Sequence, residues 1–167
     1  MERILVLVRH AKSDWSTAGL SDFDRPLNNR GRNDAPSMGK RLKEKNIIPD
    51  LIISSPAKRA AETAKLIAQE VGYGEDDIQW VEKLYHCPSF IFEDVILEAA
   101  IPAHTKSVFI FGHNPGITDY ANDTINDFSI DNMPTCGMAG LSFDAEDWNS
   151  FPSAKHNLLF YDYPKNQ

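Results

Sequence analysis

Three short stretches of this chain bring basic and nucleophilic side chains together: Arg9-His10, Ser54-Ser55-Pro56-Ala57-Lys58-Arg59 and Gly112-His113. Each lies at the end of a short apolar run of strand type, Ile4 to Val8, Leu51 to Ser54 and Ser107 to Phe111. In open α/β sheets the carboxyl edge of the strands is where ligands bind. The sequence Ser55-Pro56 is a helix start, with Ser55 as N-cap and Pro56 at the first helical position. Arg59 then falls in the first helical turn, beside free backbone N–H groups and the positive end of the helix dipole, where a cation is unfavourable unless an anion offsets it. Two arginines and two histidines converging there suit a compact polyanion such as a phosphoryl group, because guanidinium pairs bidentately with its oxygens. The histidines add a reactive nitrogen. Taken singly, each feature has an ordinary explanation: a surface Arg-His, a capping His113, an Arg59 paired with Glu62 or Glu2. A metal site built from His86, Cys87, His104 and His156 has no ligand spacing behind it.

The elements that must carry these residues alternate strand and helix patterns, the signature of a three-layer α/β/α domain with a mostly parallel central sheet. Ile4 to Val8 is wholly apolar, as a strand covered on both faces must be. Residues 11–28 are polar and aperiodic and read as a long loop, a feature that compact domains usually keep for function. A helix over about Asn29 to Lys45 follows, with Ala35, Met38 and Leu42 on one face; Pro36 either kinks it or marks its first turn, with regular helix from near Asp34. The second helix buries Ala57, Ala60, Ala61, Ala64, Ile67, Ala68 and Val71 and ends at Gly72 and Gly74. Ile78 to Val81 is a short strand, and Ser89 caps a helix from Phe90 to about Ala100. Asn114-Pro115-Gly116 turns the chain into a helix over Ile117 to Asn126. Met138 to Phe143 and Asn157 to Tyr161 are the last strands, at least one of them antiparallel.

At 167 residues, 42% apolar and 25% charged, the chain is expected to form one domain, 1–167, around a single core. Disorder, collagen and coiled coil are excluded. The apolar run near the start is five residues where a membrane span needs about 20, and no signal-peptide core follows Met1, so a soluble cytoplasmic protein without membrane attachment is expected. Cys87 and Cys136 form no disulfide framework and suit a reducing compartment. The net charge of −7 is uneven: residues 1–70 hold 13 Lys/Arg against 9 Asp/Glu, a net +4, and the remainder is net −11. The acidic whole argues against nonspecific nucleic-acid binding, and the basic first half leaves room for a local anion site.

On these residues the chain resembles a known family. Val8-Arg9-His10-Ala11-Lys12-Ser13 is similar to the RHG/RHA signature of the histidine phosphatase (phosphoglycerate mutase-like) superfamily, Ser54 to Thr63 to its SSPxxRAxxT block, and Gly112-His113-Asn114-Pro115 to its second-histidine block. The start RHAKSDW and Arg25-Pro26-Leu27-x-x-x-Gly31 look most like the phosphohistidine phosphatase SixA family. The three blocks stand in the family's order and cover nearly the whole chain.

The resemblance implies a phosphoglycerate mutase-like fold and a covalent mechanism without metal or cofactor. Neutral His10 attacks phosphorus in line and becomes a phosphohistidine, while Arg9, Arg59 and His113 hold the equatorial oxygens. Ser13, Ser16 and Asn114 are further candidates for substrate contact, Ser16 standing where many relatives carry a phosphate-touching Asn. Relatives that act on alkyl phosphates carry a Glu just after the third strand. Here one register puts Lys83 at that point, with Glu82, the remaining candidate acid, one residue away and thus on the opposite face. Imidazole leaves far more easily than an alkoxide, because its conjugate acid has a pKa of about 6.5 against about 16 for water or an alcohol. The expected substrate is therefore a phosphorylated protein carrying phosphohistidine, such as a histidine phosphotransfer domain. The alternatives are a phosphatase of small activated phosphate esters and a phosphate-binding adaptor without turnover.

Overall fold

The computed structural model describes residues 1–166. Its centre is a six-stranded sheet of β1 (Glu2–Arg9), β2 (Leu51–Ser54), β3 (Gln79–Trp80), β4 (Ser107–Gly112), β5 (Met138–Asp144) and β6 (Asn157–Asp162), in the order β3-β2-β4-β1-β5-β6. β5 alone runs against the rest: it pairs antiparallel with both β1 and β6, while β1, β4, β2 and β3 pair parallel. The sheet is thus mostly parallel, with the reversal among the last two strands that the sequence predicts.

Helices α1 (Asn29–Glu44) and α2 (Lys58–Val71) cover one face, and α3 (Ile91–Glu98) and α4 (Gly116–Thr124) the other. The alternation of β1 shows why both faces are apolar. Leu5 and Leu7 join Phe92, Val95, Ile117 and Tyr120 on the α3/α4 side; Val6 and Val8 join Met38, Leu42, Ile67 and Ala68 on the α1/α2 side. Strands buried on both faces stay rigid at their ends, which lets them position a site.

Several boundaries differ from the sequence expectation. α1 runs unbroken through Pro36 from its cap, Asn28, whose side chain accepts from the Gly31 N–H at 2.9 Å. α2 begins at Lys58 with Ala57 as its cap residue, two residues later than the predicted Ser55 cap; the Ser55 hydroxyl accepts from the Ala57 N–H at 3.2 Å and also lies 2.8 Å from His113 Nε2. β3 keeps only Gln79 and Trp80, both exposed. α3 begins at Ile91, and Ser89 bonds Asp123 rather than capping it. Among the described residues no helix is long and apolar enough to cross a membrane.

Candidate active site

The parallel register of three adjacent strands assembles the site. Arg9 lies opposite Gly112, and Ser54 opposite Phe111. The pairing continues one step beyond the strands: the His10 N–H donates to the Gly112 carbonyl at 3.2 Å, and the Ser55 N–H to the Phe111 carbonyl at 3.0 Å. His10, His113 and Ser55 therefore leave β1, β4 and β2 side by side. His10 and His113 border a cavity of about 240 Å3 whose walls also include Arg9, Arg25 and Arg59.

Thr63 ties the two halves together. Its hydroxyl accepts from the Ala11 N–H at 2.9 Å and donates to the Arg59 carbonyl at 2.7 Å, locking the end of β1 to the first turn of α2. Gly31 holds the next stretch: a side chain there would run into the Lys12 backbone, so only glycine lets the loop lie across α1. The loop of residues 11–28 closes on itself through the Ser13–Leu27 bridge, and its backbone donates from Asp14 to the Pro26 carbonyl.

His10 is buried, with Nδ1 at 2.8 Å from the Ala11 carbonyl. A carbonyl only accepts, so Nδ1 carries the hydrogen and Nε2 keeps its lone pair. Burial pushes the pKa of His10 down to about 3, opposed by the Ala11 bond and reinforced by Arg59, Arg9 and Arg25. The ring is neutral at ordinary pH, as a nucleophile must be. His113 stands 5.2 Å away, centroid to centroid, with Nε2 at 2.8 Å from the Ser55 hydroxyl. Burial, then the neighbouring His10 and Arg59, hold its pKa well below the usual imidazole range.

Among the described residues, four buried side-chain polar atoms lack a protein partner: Arg9 Nε, Arg59 Nε, His113 Nδ1 and Tyr120 Oη. Three of the four belong to this cavity, although buried polar groups are paired almost everywhere in folded proteins. A tetrahedral anion supplies the acceptors such groups require. Arg9 is otherwise fixed by Nη1 donating to the Met133 carbonyl at 2.8 Å.

The anion that offsets Arg59 within the chain is Asp22, in the 3-10 turn Asp22–Asp24 of the long loop. Arg59 Nη1 donates to the Asp22 carbonyl at 2.7 Å and Nη2 to its Oδ2 at 3.0 Å. The same Oδ2 accepts from Tyr85 Oη at 2.6 Å and lies 2.8 Å from His86 Nε2, while Arg25 reaches Oδ1 at 3.1 and 3.2 Å. Partial burial pushes the Asp22 carboxyl upward, but the bonds from Tyr85, His86 and Arg59 prevail and hold it well below the usual carboxylate range. Arg25 also donates to Ser13 Oγ at 2.6 Å and stacks 3.4 Å from the centre of the exposed Trp15 ring.

Of the residues singled out from sequence, Arg9, His10, Arg59, His113, Ser13 and Asn114 all line the cavity. Asn114 is already occupied: its amide donates to Asn132 and the Met133 carbonyl, and its oxygen accepts from Thr118, holding the 132–133 segment against the site. Ser16 is exposed, is not part of the wall, and bonds Asp14 through its backbone. Glu82 is exposed in the 3-10 turn Glu82–Leu84, and Lys83 pairs with Glu98 at 2.8 Å, so neither reaches the cavity. Asp22, Arg25, Trp15 and His86 are wall residues that the sequence reading did not assign to the site. Asp22 meets the need for an anion beside Arg59, which the sequence reading assigned to a phosphoryl group or to Glu62 or Glu2.

Comparison with known proteins agrees with this geometry. The sequence profile of the family described as "Histidine phosphatase superfamily (branch 1)" matches residues 5–85. An uncharacterized chloroplastic protein of Arabidopsis thaliana is 30% identical over 155 residues, 89% of this chain and 70% of that one. A 2,3-bisphosphoglycerate-dependent phosphoglycerate mutase of Beijerinckia indica is 40% identical over 74 residues, 43% of this chain but only 36% of the mutase. Among solved structures, the Agrobacterium tumefaciens protein assigned as phosphohistidine phosphatase SixA superposes with a TM-score of 0.77 at 27% identity, covering 97% of this chain and 98% of that one.

Proposed function

The chain belongs to the histidine phosphatase superfamily, and from that premise we propose that it hydrolyses phosphohistidine on a protein through a covalent intermediate at His10. The observation that carries this reading is the state of His10: a neutral ring whose Nδ1 is committed to the Ala11 carbonyl, leaving Nε2 as the nucleophile beside unpartnered donors of Arg9, Arg59 and His113.

The chemistry follows from those atoms. His10 Nε2 forms a bond to phosphorus as the bond to the leaving nitrogen breaks, and water then attacks phosphorus and frees the imidazole. Arg9 and Arg59 bind the equatorial oxygens, where charge spreads in the transition state. Burial first, then His10 and Arg59, hold the pKa of His113 down; a bound dianion acts in the opposite direction and favours its protonation, so the ring is proposed to become a further donor as the phosphoryl group arrives. A phosphohistidine leaving group asks little of an acid, which agrees with Glu82 and Lys83 lying away from the cavity. With three arginines in the wall, the oxygens have their counter-charge from protein, and the reaction is proposed to need no metal or cofactor. We take residues 1–167 as one catalytic domain; the two buried free thiols support action in the reducing cytoplasm.

The test is a comparison of rates on a phosphohistidine-bearing histidine phosphotransfer domain, on sugar phosphates and on aryl phosphates, with and without EDTA, and with acid-labile label sought on His10. Preference for the protein substrate in EDTA, with labelled His10, is expected. Faster turnover of small activated esters makes the chain a phosphomonoesterase. Binding of phosphate without turnover makes it an adaptor, and activity lost in EDTA and restored by magnesium or zinc makes it a metallophosphatase.

A further inference from the structure

The covalent scheme leaves one need unmet: the leaving atom must acquire a proton and the attacking water must lose one, yet Glu82 and Lys83 lie outside the cavity. His86 does line it. Its ring centroid is 5.2 Å from that of His113, and its Nε2 is 3.4 Å from Arg59 Nη2, so it borders the groups that would hold the phosphoryl oxygens. Nε2 lies 2.8 Å from the Asp22 carboxylate, which only accepts; Nε2 therefore carries a hydrogen, and the ring's remaining nitrogen, Nδ1, has no protein partner among the described residues.

The setting fixes this ring in place. Tyr85 packs on it at 4.3 Å between centroids and donates to the same carboxylate oxygen. The backbone at His86 is in the left-handed region, φ 50°, and the next residue is clamped because the Cys87 carbonyl lies where any side chain at position 116 would go. Half of the His86 side chain remains exposed, so its proton exchanges with solvent between turnovers.

We infer that His86, oriented by Asp22, is the proton-transfer residue of this site, a role that rests on the covalent mechanism proposed above. His86 enters the first step as an imidazolium, its Nε2–H on Asp22 and a second proton, taken up from solvent, on Nδ1. The P–X bond breaks with its electron pair going to X as His10 Nε2 bonds to phosphorus, and the Nδ1 proton goes to X. In the second step a water oxygen bonds to phosphorus, the His10–phosphorus bond breaks with its electron pair returning to Nε2, and the water proton goes to His86 Nδ1. The ring ends as it began, and inorganic phosphate and the protonated leaving group are the products. A carboxylate fixing one imidazole nitrogen so that the other exchanges a proton is the arrangement by which histidine serves as acid and base in turn. The charged and titratable groups facing the ring are Asp22 from the long loop, Arg59 from α2, Tyr85 from its own turn and His113 beyond β4.

The test uses His86→Asn, since asparagine accepts a left-handed backbone and has no exchangeable ring proton. Phenyl phosphate, whose leaving group needs a proton, should lose a factor of about 100 or more in kcat/KM, the size of a general acid, and 4-nitrophenyl phosphate much less. Phosphoenzyme should accumulate in an alkaline quench, which preserves the phosphohistidine bond, and added imidazole should restore part of the phenyl phosphate rate. Tyr85→Phe removes a second bond to Asp22 but keeps the ring, so it should leave the ratio of the two substrates unchanged. If Tyr85→Phe shifts that ratio as far as His86→Asn does, or if His86→Asn matches wild type on both substrates, His86 transfers no proton. Those results leave the covalent reading intact where wild type still labels on His10. Absence of any label on wild type, with His10→Ala active, overturns that reading itself.

Discussion

The cavity has two kinds of wall. Its floor is made of Arg9, His10, Arg59 and His113, of which all but Arg9 are buried, each held by the end of a strand or the first turn of a helix. Its rim is made of Asp22, Trp15 and His86, with Tyr85 packed against His86, and Trp15 is 73% exposed. Floor residues are positioned by packing: β1, β4 and β2 lie between two apolar layers, so the direction in which His10 and His113 leave the sheet is decided by core residues such as Val8 and Phe111. Rim residues are positioned by one carboxylate that gathers Arg25, Arg59, Tyr85 and His86. A preorganised electrostatic site needs donors that do not move as charge develops, and packing supplies that rigidity better than half-exposed ion pairs do.

The sharpest break of this comparison is at the floor. His10→Ala should abolish turnover and labelling while phosphate binding stays measurable by calorimetry, because Arg9 and Arg59 remain. Retention of near wild-type kcat would remove the floor from the mechanism. Arg59→Ala should lower kcat/KM by a factor on the order of 100 to 1,000, as loss of one fixed charge donor does. Arg59→Lys should recover little, since an ammonium cannot pair bidentately with two oxygens or span the Asp22 carbonyl and carboxylate together. A fully active lysine variant would show that charge alone matters there.

The same division explains what could be read from sequence. The floor was legible because its markers are local: a wholly apolar run names a buried strand, and the residues just past it face the ligand edge. Even there regular helix starts two residues later than a Ser55 cap implies, and nothing local reveals that the Ser55 hydroxyl, besides accepting from the Ala57 N–H, meets His113, 58 positions away. The rim was illegible for the same reason on a larger scale. Asp22 meets Arg59 across 37 positions and His86 across 64, from an aperiodic loop and a turn after a two-residue strand. Ser16 and Glu82 were candidates by alignment with relatives, and alignment does not say which way a loop residue faces.

Asp22→Asn probes the rim directly. The carboxylate orients Arg59 and also competes with phosphate for it, so the two effects oppose each other. Inorganic phosphate should inhibit more tightly, by about fivefold or less, because a half-exposed ion pair is worth about 1 kcal/mol or less; kcat should fall as Arg59 and His86 lose their common anchor. Weaker phosphate inhibition would mean that orientation outweighs competition.

The floor also leaves a signature in stability against pH. Burial first, then the neighbouring arginines, lower the pKa of His10 to about 3 in the folded chain, against about 6.5 when unfolded. Between those values the unfolded chain binds a proton that the folded chain does not, so stability rises with pH across this window. The full contribution is present above about pH 6.5 and is lost as pH falls towards 3. His10→Gln removes this dependence, and its denaturation midpoint should decline less between pH 6.5 and 4 than that of wild type. Parallel declines would show that His10 titrates alike in both states. His113 contributes with the same sign, so the variant's curve should flatten without becoming level.

The smallest effects belong to exposed residues that face away from the cavity, and they separate a rim that acts from a surface that does not. Ser16 is exposed with its backbone turned to Asp14, and Glu82 sits in a turn beside the Lys83–Glu98 pair; neither shares a bond with Asp22, His10 or either site arginine. Ser16→Ala and Glu82→Gln should each change kcat/KM by less than about twofold on aryl phosphates of every leaving-group pKa, and shift stability by less than about 0.5 kcal/mol, as surface substitutions do. Should Glu82→Gln instead cost a factor of about 100 with poor leaving groups, the turn after β3 must rearrange on substrate binding to bring this carboxyl into the cavity. The division between a packed floor and a rim gathered on Asp22 would then not hold in the substrate complex.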